Sequence, residues 1–332
     1  MVGALLLAWA STRIELWPQV WTFPEPWALA AAIALQVPYA LLRAARLAYV
    51  LDPWTLRAGG ARFDRKALYG SGFVSFFVLL VLPLKLGEAS RPLLLTAARQ
   101  PGVGLSASLA AVAVERILDG LLVVALLFVG LELADVRSIA LVEEVRAAGL
   151  VAGAAFFAAS GGLFWLAGAP AERARTACRP LASWRRAPRL VAALTRVGEA
   201  LQVLRAWRIS VPLVASTCLY WIVTIAQLWC VQRACGLELG ASEAATLVAI
   251  VGLSIQLPGG PAQVGTFQLG AAMGLALFCN ETLLRSAGSQ FAATLYLLGL
   301  AGAAAFAGLG AWLLQRASAA ARARTGDLPG SG

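Results

Sequence analysis

Long apolar runs recur along this 332-residue chain, and they constrain its fold more than any other feature. A helix that crosses a bilayer needs roughly 20 apolar residues. Residues 27–51, 105–131, 147–168, 210–234 and 286–314 meet that requirement. Two further apolar regions, 67–98 and 241–279, are interrupted midway by LPLKLGEASRP (82–92) and LPGGPAQVG (257–265). Only 13% of the residues are charged, about half the share in a soluble domain. Too little polar surface exists to cover the apolar mass, so the expected fold is an all-α polytopic membrane protein.

Basic residues set the expected orientation. Residues 52–66 hold Arg57, Arg62, Arg65 and Lys66, 169–209 hold nine Arg against two Glu, and the tail holds Arg316, Arg322 and Arg324. By contrast, 132–146 has two Arg against four acids, and 235–245 has no basic residue. The basic loops are expected in the cytoplasm and the chain in the inner membrane. Parity then requires each broken region to enter and leave on the same side. Residues 67–98 turn near Pro83–Gly87 and enter from inside, and 241–279 turn at Pro258–Gly260 and enter from outside.

Two re-entrant helical hairpins from opposite faces, each flanked by spanning helices, read as an inverted-topology repeat. Leu82-Pro83 and Leu257-Pro258 lie 175 residues apart. Non-helical backbone at membrane depth is tolerated only inside protein or beside a watery cavity, so both tips are expected to meet there. The organisation is one transmembrane domain over 1–316 and a disordered cytoplasmic tail over 317–332. Its first half is about 27–168 and its second about 210–316. The linker 169–209 holds an amphipathic helix at 189–207, expected on the cytoplasmic surface. Trp17, Trp21, Trp27, Trp54, Trp207 and Trp312 suit interfacial belts. MVGALLLAWA lacks the marks of a cleaved signal peptide and is too short to span. It reads as the remnant of a helix that starts upstream.

The chain has no histidine, which excludes Ser-His-Asp triads, HExxH zinc sites and imidazole-bound haem. Its five cysteines show no metal or disulfide spacing. No GxxxxGK[ST] motif occurs. Neither a metal nor a cofactor is expected, nor catalysis. The net charge of +10 sits beside apolar spans, so its expected partner is an anionic membrane surface and not nucleic acid.

Charged and turn residues inside the spans mark the candidate site. In PLKLGEASRP, Pro83 breaks a helix and Gly87 permits a sharp turn. A half-helix follows, and its N-terminus favours an anion. Lys85, Gly87, Glu88 and Arg91 read as a phosphate or carboxylate pocket, or else as an internal brace. In VAVERILDGLLVV, Glu115, Arg116 and Asp119 lie mid-span, where each charge costs about 2.5–3.5 kcal/mol on insertion scales. They must face protein and be paired. Arg116 can reach Asp119 along the helix, and the acids need a further cation, either Arg91 or Lys85. The second tip offers Gln256, Pro258, Gly259, Gly260, Gln263, Gly265 and Gln268, which either line a site or form a tight turn. Arg43 and Arg46 read as snorkelling to the interface, with Arg43 at the cavity mouth as the other reading.

ALLRAARLAYVL (40–51), LPLKLGEASRPLLL (82–95), VERILDGLL (114–122) and LPGGPAQVGTFQLG (257–270) make the chain resemble the transmembrane region of lysylphosphatidylglycerol synthases, the flippase-like domain. The resemblance spans nearly the whole chain. Family members tend to carry Gly-x-x-Glu near the second tip, where this sequence has Gly265-Thr266-Phe267-Gln268. The chain stops soon after its last span, so the resemblance implies a stand-alone form that lacks the synthase domain. It also implies a flippase that moves a phospholipid or lipid-linked sugar across the inner membrane. The expected partners are a lipid with an anionic or polar headgroup and a separate lipid-synthesis enzyme. A small-solute secondary transporter, a membrane-embedded lipid enzyme and a scaffold for lipid synthesis are the other readings.

Overall fold

The computed structural model describes residues 2–181, 187–202, 206–257 and 259–325. Among them every regular element is helical. Apolar side chains on all sides of a helix suit burial in lipid and protein together. Four helices are long and apolar enough to cross a membrane: Pro26–Arg57, Ile139–Gly168, Trp207–Ala234 and Glu281–Ala319. The chain is a multi-pass membrane protein by helix length and hydropathy.

The first span is α2 (Pro26–Ala45) followed by α3 (Ala48–Arg57), with a break at Arg46–Leu47. A single helix over 27–51 was expected, and no Pro or Gly marks the break. Ahead of it lies α1 (Val2–Ser11). Asp64 caps α4 (Arg65–Val81) by accepting from the Lys66 and Ala67 amides. Pro83 then opens a 3₁₀ turn over Pro83–Ala89, and α5 (Ser90–Ala97) folds back onto α4. The left-handed residue in this turn is Lys85, at φ 59°, and not the expected Gly87. Gly87 is needed for a different reason: a Cβ there would lie 2.4 Å from the Leu79 Cα.

Next come α6 (Leu105–Leu133) and α7 (Ile139–Gly168), which is capped by Ser138. Then follow α8 (Pro170–Ala177) and α9 (Ala187–Gln202). α9 is the expected amphipathic helix, although residues 203–205 of that expectation lie outside the described residues. It packs against α6, α7 and α8. Trp54 was placed in an interfacial belt, but it is 6% exposed and its indole donates to the Ala200 carbonyl of α9 at 3.0 Å. Trp17, Trp27, Trp207 and Trp312 are exposed.

The second half begins with α10 (Trp207–Ala234) and α11 (Ala241–Ser254). A non-helical tip leads to α12 (Thr266–Ala276), which packs back on α11. Gly265 sits at φ 93°, and a Cβ there would also meet the Gly3 carbonyl oxygen of α1 at 2.1 Å, so only glycine fits. α13 (Glu281–Leu283) and a π-turn (Leu284–Gly288) lead into α14 (Ser289–Thr325). Residues 317–325, read as the start of a disordered tail, continue this helix, while 326–332 lie outside the described residues.

Three helix pairs hold the molecule together: α2 with α10, α4 with α14, and α6 with α11. Glycines let α4 and α14 approach closely. A Cβ on Gly70 would lie 2.9 Å from the Gly310 carbonyl oxygen, and one on Gly310 would lie 3.0 Å from that of Gly70. Small residues at such crossings allow the close packing that drives association in lipid.

Candidate functional site

The i, i+4 spacing of Glu115 and Asp119 puts both carboxylates on one face of α6, and both are buried. Arg46 meets them from the break between α2 and α3. Its Nε and Nη2 donate to Glu115 Oε1 at 3.0 and 2.6 Å, and Nη1 and Nη2 donate to Asp119 Oδ1 and Oδ2 at 2.5 and 2.6 Å. Only a planar guanidinium can fork to two carboxylates in this way. The snorkelling reading of Arg46 therefore fails: it is 1% exposed, and its guanidinium lies 4.6 Å from the Tyr220 ring centroid.

Arg91 supplies the second cation, as one of the two expected candidates. Its Nη1 donates to Glu115 Oε2 at 2.5 Å, and its Nη2 donates to the Ala44 and Arg43 carbonyls at 3.3 and 3.4 Å. Arg91 therefore braces the break in the first span as well as balancing charge. The Trp221 indole completes the set by donating to Asp119 Oδ1 at 3.1 Å. Two guanidiniums and two carboxylates make this cluster neutral.

Arg116 does not pair with Asp119, nor with any other acid among the described residues. It lines instead a cavity of about 210 Å³ built from α2, α4, α6, α7, α10, α11, α12, α14 and the second tip. Asp119 and Gln263 also line that cavity, as does Arg43. The Arg43 guanidinium donates to the Tyr220 hydroxyl at 3.3 Å and lies 4.1 Å from the Phe76 ring centroid, without an acid partner among the described residues.

Of the other expected site residues, Gln256 also lines the cavity, while Lys85, Gly87, Glu88, Arg91, Glu115, Gly259, Gly260 and Gln268 do not. The two tips meet directly, with Lys85 Nζ donating to Gln256 Oε1 at 2.7 Å. Glu88 lies 3.9 Å from the same Nζ. Gly87 packs the first tip onto α4. Gly259 and Gly260 form the second tip, and Gln268 Oε1 caps α12 by accepting from the Gly265 amide at 2.8 Å. Pro258 lies outside the described residues. The sequence reading underrated Arg43 and Arg46, and charge balance gave no signal for them, because Arg116 and Arg91 already match the two mid-span acids in number.

A second cavity, of about 460 Å³, lies among Arg62, Arg65, Asp52 and Arg208, and Arg46 forms part of its wall. Arg65 is paired with Asp52 at 2.6 Å there. Among the described residues no cluster of His, Cys, Asp and Glu could hold a metal ion.

The family model of the lysylphosphatidylglycerol synthase TM region matches residues 1–302. The chain belongs to this family. No curated protein and no solved structure matches it. The charges held between its helices fall into two sets. One set is closed on itself around Arg46. The other, Arg43 and Arg116, faces the cavity between the helices.

Proposed function

We propose that the protein is a lipid flippase of the inner membrane. The headgroup occupies the cavity beside the second tip, lined by Arg43 and Arg116, and the acyl chains remain in lipid. One observation carries this reading: Arg43 and Arg116 line a cavity between the helices without a carboxylate of their own among the described residues. Asp119 offers no relief, since both of its oxygens accept from Arg46. A positive charge held between helices and partly withdrawn from water is costly unless it is paired, and a phosphate arriving from the membrane supplies the missing partner. A cavity of about 150 Å³ already admits a benzene-sized ligand, so this one has room for a phosphodiester.

The architecture supports transport. α4, α5, α11 and α12 have 17, 8, 14 and 11 residues, all short of the roughly 20 needed to cross. They are read as arms of two re-entrant hairpins. We read the packing as an inverted repeat in which α2, α4 and α6 correspond to α10, α11 and α14. The contact of α4 with α14 then has its counterpart in α11 with α6. The Gly70–Gly310 crossing has its counterpart at Thr246 and Gly130, where a Cβ on Gly130 would lie 2.3 Å from Thr246 Oγ1. These positions are related by nearly the same offset as the tips. α2 and α10 run antiparallel, as Gln227 with Ala32 and Arg43 with Tyr220 show. The basic loops face the cytoplasm in this reading, and a separate enzyme makes the lipid. The chain itself performs no covalent chemistry.

The test is lipid movement in proteoliposomes that contain acyl-labelled phosphatidylglycerol. Replacing both Arg43 and Arg116 by Gln should slow exchange between leaflets by about tenfold or more while the protein stays folded. Exchange at the wild-type rate in that double variant, or uptake of a water-soluble phosphate ester in place of lipid movement, overturns the reading.

A further inference from the structure

We infer that this cavity takes a headgroup whose only charge is a phosphate and whose other polar groups are hydroxyls, and that it disfavours headgroups bearing an ammonium. The inference rests on the translocation reading of the same cavity and narrows its substrate.

The first ground is electrostatic. The charged residues that line the cavity are Arg43, Arg116 and Asp119. The Asp119 carboxylate accepts three hydrogen bonds from Arg46 and Trp221, so it has little left to offer a cationic guest. An ammonium group would therefore enter a compartment with two guanidiniums and no spare carboxylate, and like charges at short range disfavour binding.

The second ground is the neutral lining. Gln263 makes no side-chain hydrogen bond among the described residues. Gln256 spends its carbonyl oxygen on Lys85 and keeps its amide N–H groups. Gln36 and Gln227 do the reverse: their amides donate to the Leu298 and Ala32 carbonyls at 3.1 Å each, and their carbonyl oxygens remain acceptors. The lining thus offers both donors and acceptors. Hydroxyl groups both donate and accept, so they satisfy such a lining; an ammonium group only donates. The geometry fits a glycerol or sugar attached to phosphate. Lysylphosphatidylglycerol, the lipid in the family's description, adds two ammonium groups to the same phosphate and fits poorly.

The full-length protein, purified in detergent, is titrated with phosphatidylglycerol, with lysylphosphatidylglycerol of the same acyl chains and with soluble glycerophosphoglycerol, and bound lipid is read by native mass spectrometry. Phosphatidylglycerol should bind about tenfold or more tighter than its lysyl ester. Arg116→Gln should weaken phosphatidylglycerol binding and shrink that preference. Equal or tighter binding of the lysyl ester overturns the inference. Glycerophosphoglycerol should compete only weakly; competition as strong as the lipid's overturns the lipid source and assigns the same chemistry to a soluble phosphodiester. Leaflet exchange of both lipids is measured in parallel. Equal exchange rates overturn the inference and leave translocation standing. A retained binding preference without any exchange supports the inference and removes translocation.

Discussion

Arg46 and Asp119 grip each other through two hydrogen bonds, of 2.5 and 2.6 Å, yet they belong to different cavities. Arg46 walls the basic cleft near Arg62 and Arg208, while Asp119 walls the cavity between the helices. Their ion pair therefore stands between the two spaces. Each guanidinium nitrogen of Arg46 donates to one or both carboxylates, so the partition is closed by charge as well as by packing.

Removing one member of such a buried set leaves the other charged and unpaired. Arg46→Met should destabilise the protein by about 3–5 kcal/mol, read as a fall in the thermal unfolding midpoint in detergent. Adding Asp119→Asn should restore part of the loss, because Glu115 keeps Arg91. Wild-type melting of Arg46→Met would mean that Arg46 is not paired in the folded protein.

The Gly70–Gly310 crossing tolerates no added bulk. Gly310→Leu should drive α14 away from α4, because even a Cβ would lie 2.8 Å from that of Phe73. Over-packing of this kind costs about 1–3 kcal/mol. The measurement is the same unfolding midpoint, compared with Gly308→Leu on the same helix. A Cβ on Gly308 would meet nothing within 4 Å, so its replacement should be nearly neutral.

Four of the five expected spans and both broken regions were legible because length and composition suffice to identify them; the fifth, 105–131, is the single helix α6, whose charges at Glu115, Arg116 and Asp119 keep it out of the apolar set. Pro83 and the glycines around 259–265 interrupt apolar runs that are otherwise continuous. The neutral cluster was legible only in part. Glu115 and Asp119 announced a need for cations, and Arg91 was found among the candidates. Arg46 escaped, because an arginine near a basic loop has the same local signature whether it reaches outward or turns inward. What decides is which face α6 presents to the break at Arg46–Leu47, and that is a tertiary fact. Trp54 misled in the same way, since an indole suits an interface and also suits a buried bond to Ala200. Gln268, read as a site residue, has a local role as the cap of α12.

The orientation rests on loop charge and can be checked with single cysteines in a background where the five native ones are replaced by alanine. Ala61→Cys lies in the basic loop before α4, and Ala140→Cys lies near the acidic connection between α6 and α7; both positions are exposed. A membrane-impermeant maleimide added to intact cells should label position 140 and spare position 61 until the membrane is opened. The reverse pattern would turn the protein over and place Arg62 and Arg208 on the outer face.

Lys85 and Gln256 tie the two tips together across 171 residues of sequence at 2.7 Å. A hydrogen bond to a charged group contributes about 1.5–3 kcal/mol, and this one joins elements that otherwise touch through short, irregular backbone. Lys85→Met and Gln256→Leu should each lower stability, and the double variant should lose less than the sum of the two, because the same bond is deleted twice. A coupling energy of about 1 kcal/mol or more from that thermodynamic cycle would establish the tie; strict additivity would show that it contributes nothing. If the tips part during transport, both single variants should also change the leaflet-exchange rate in the same direction and by similar factors. A rate change in Lys85→Met alone would instead assign the lysine's role to Glu88, its other neighbour at 3.9 Å.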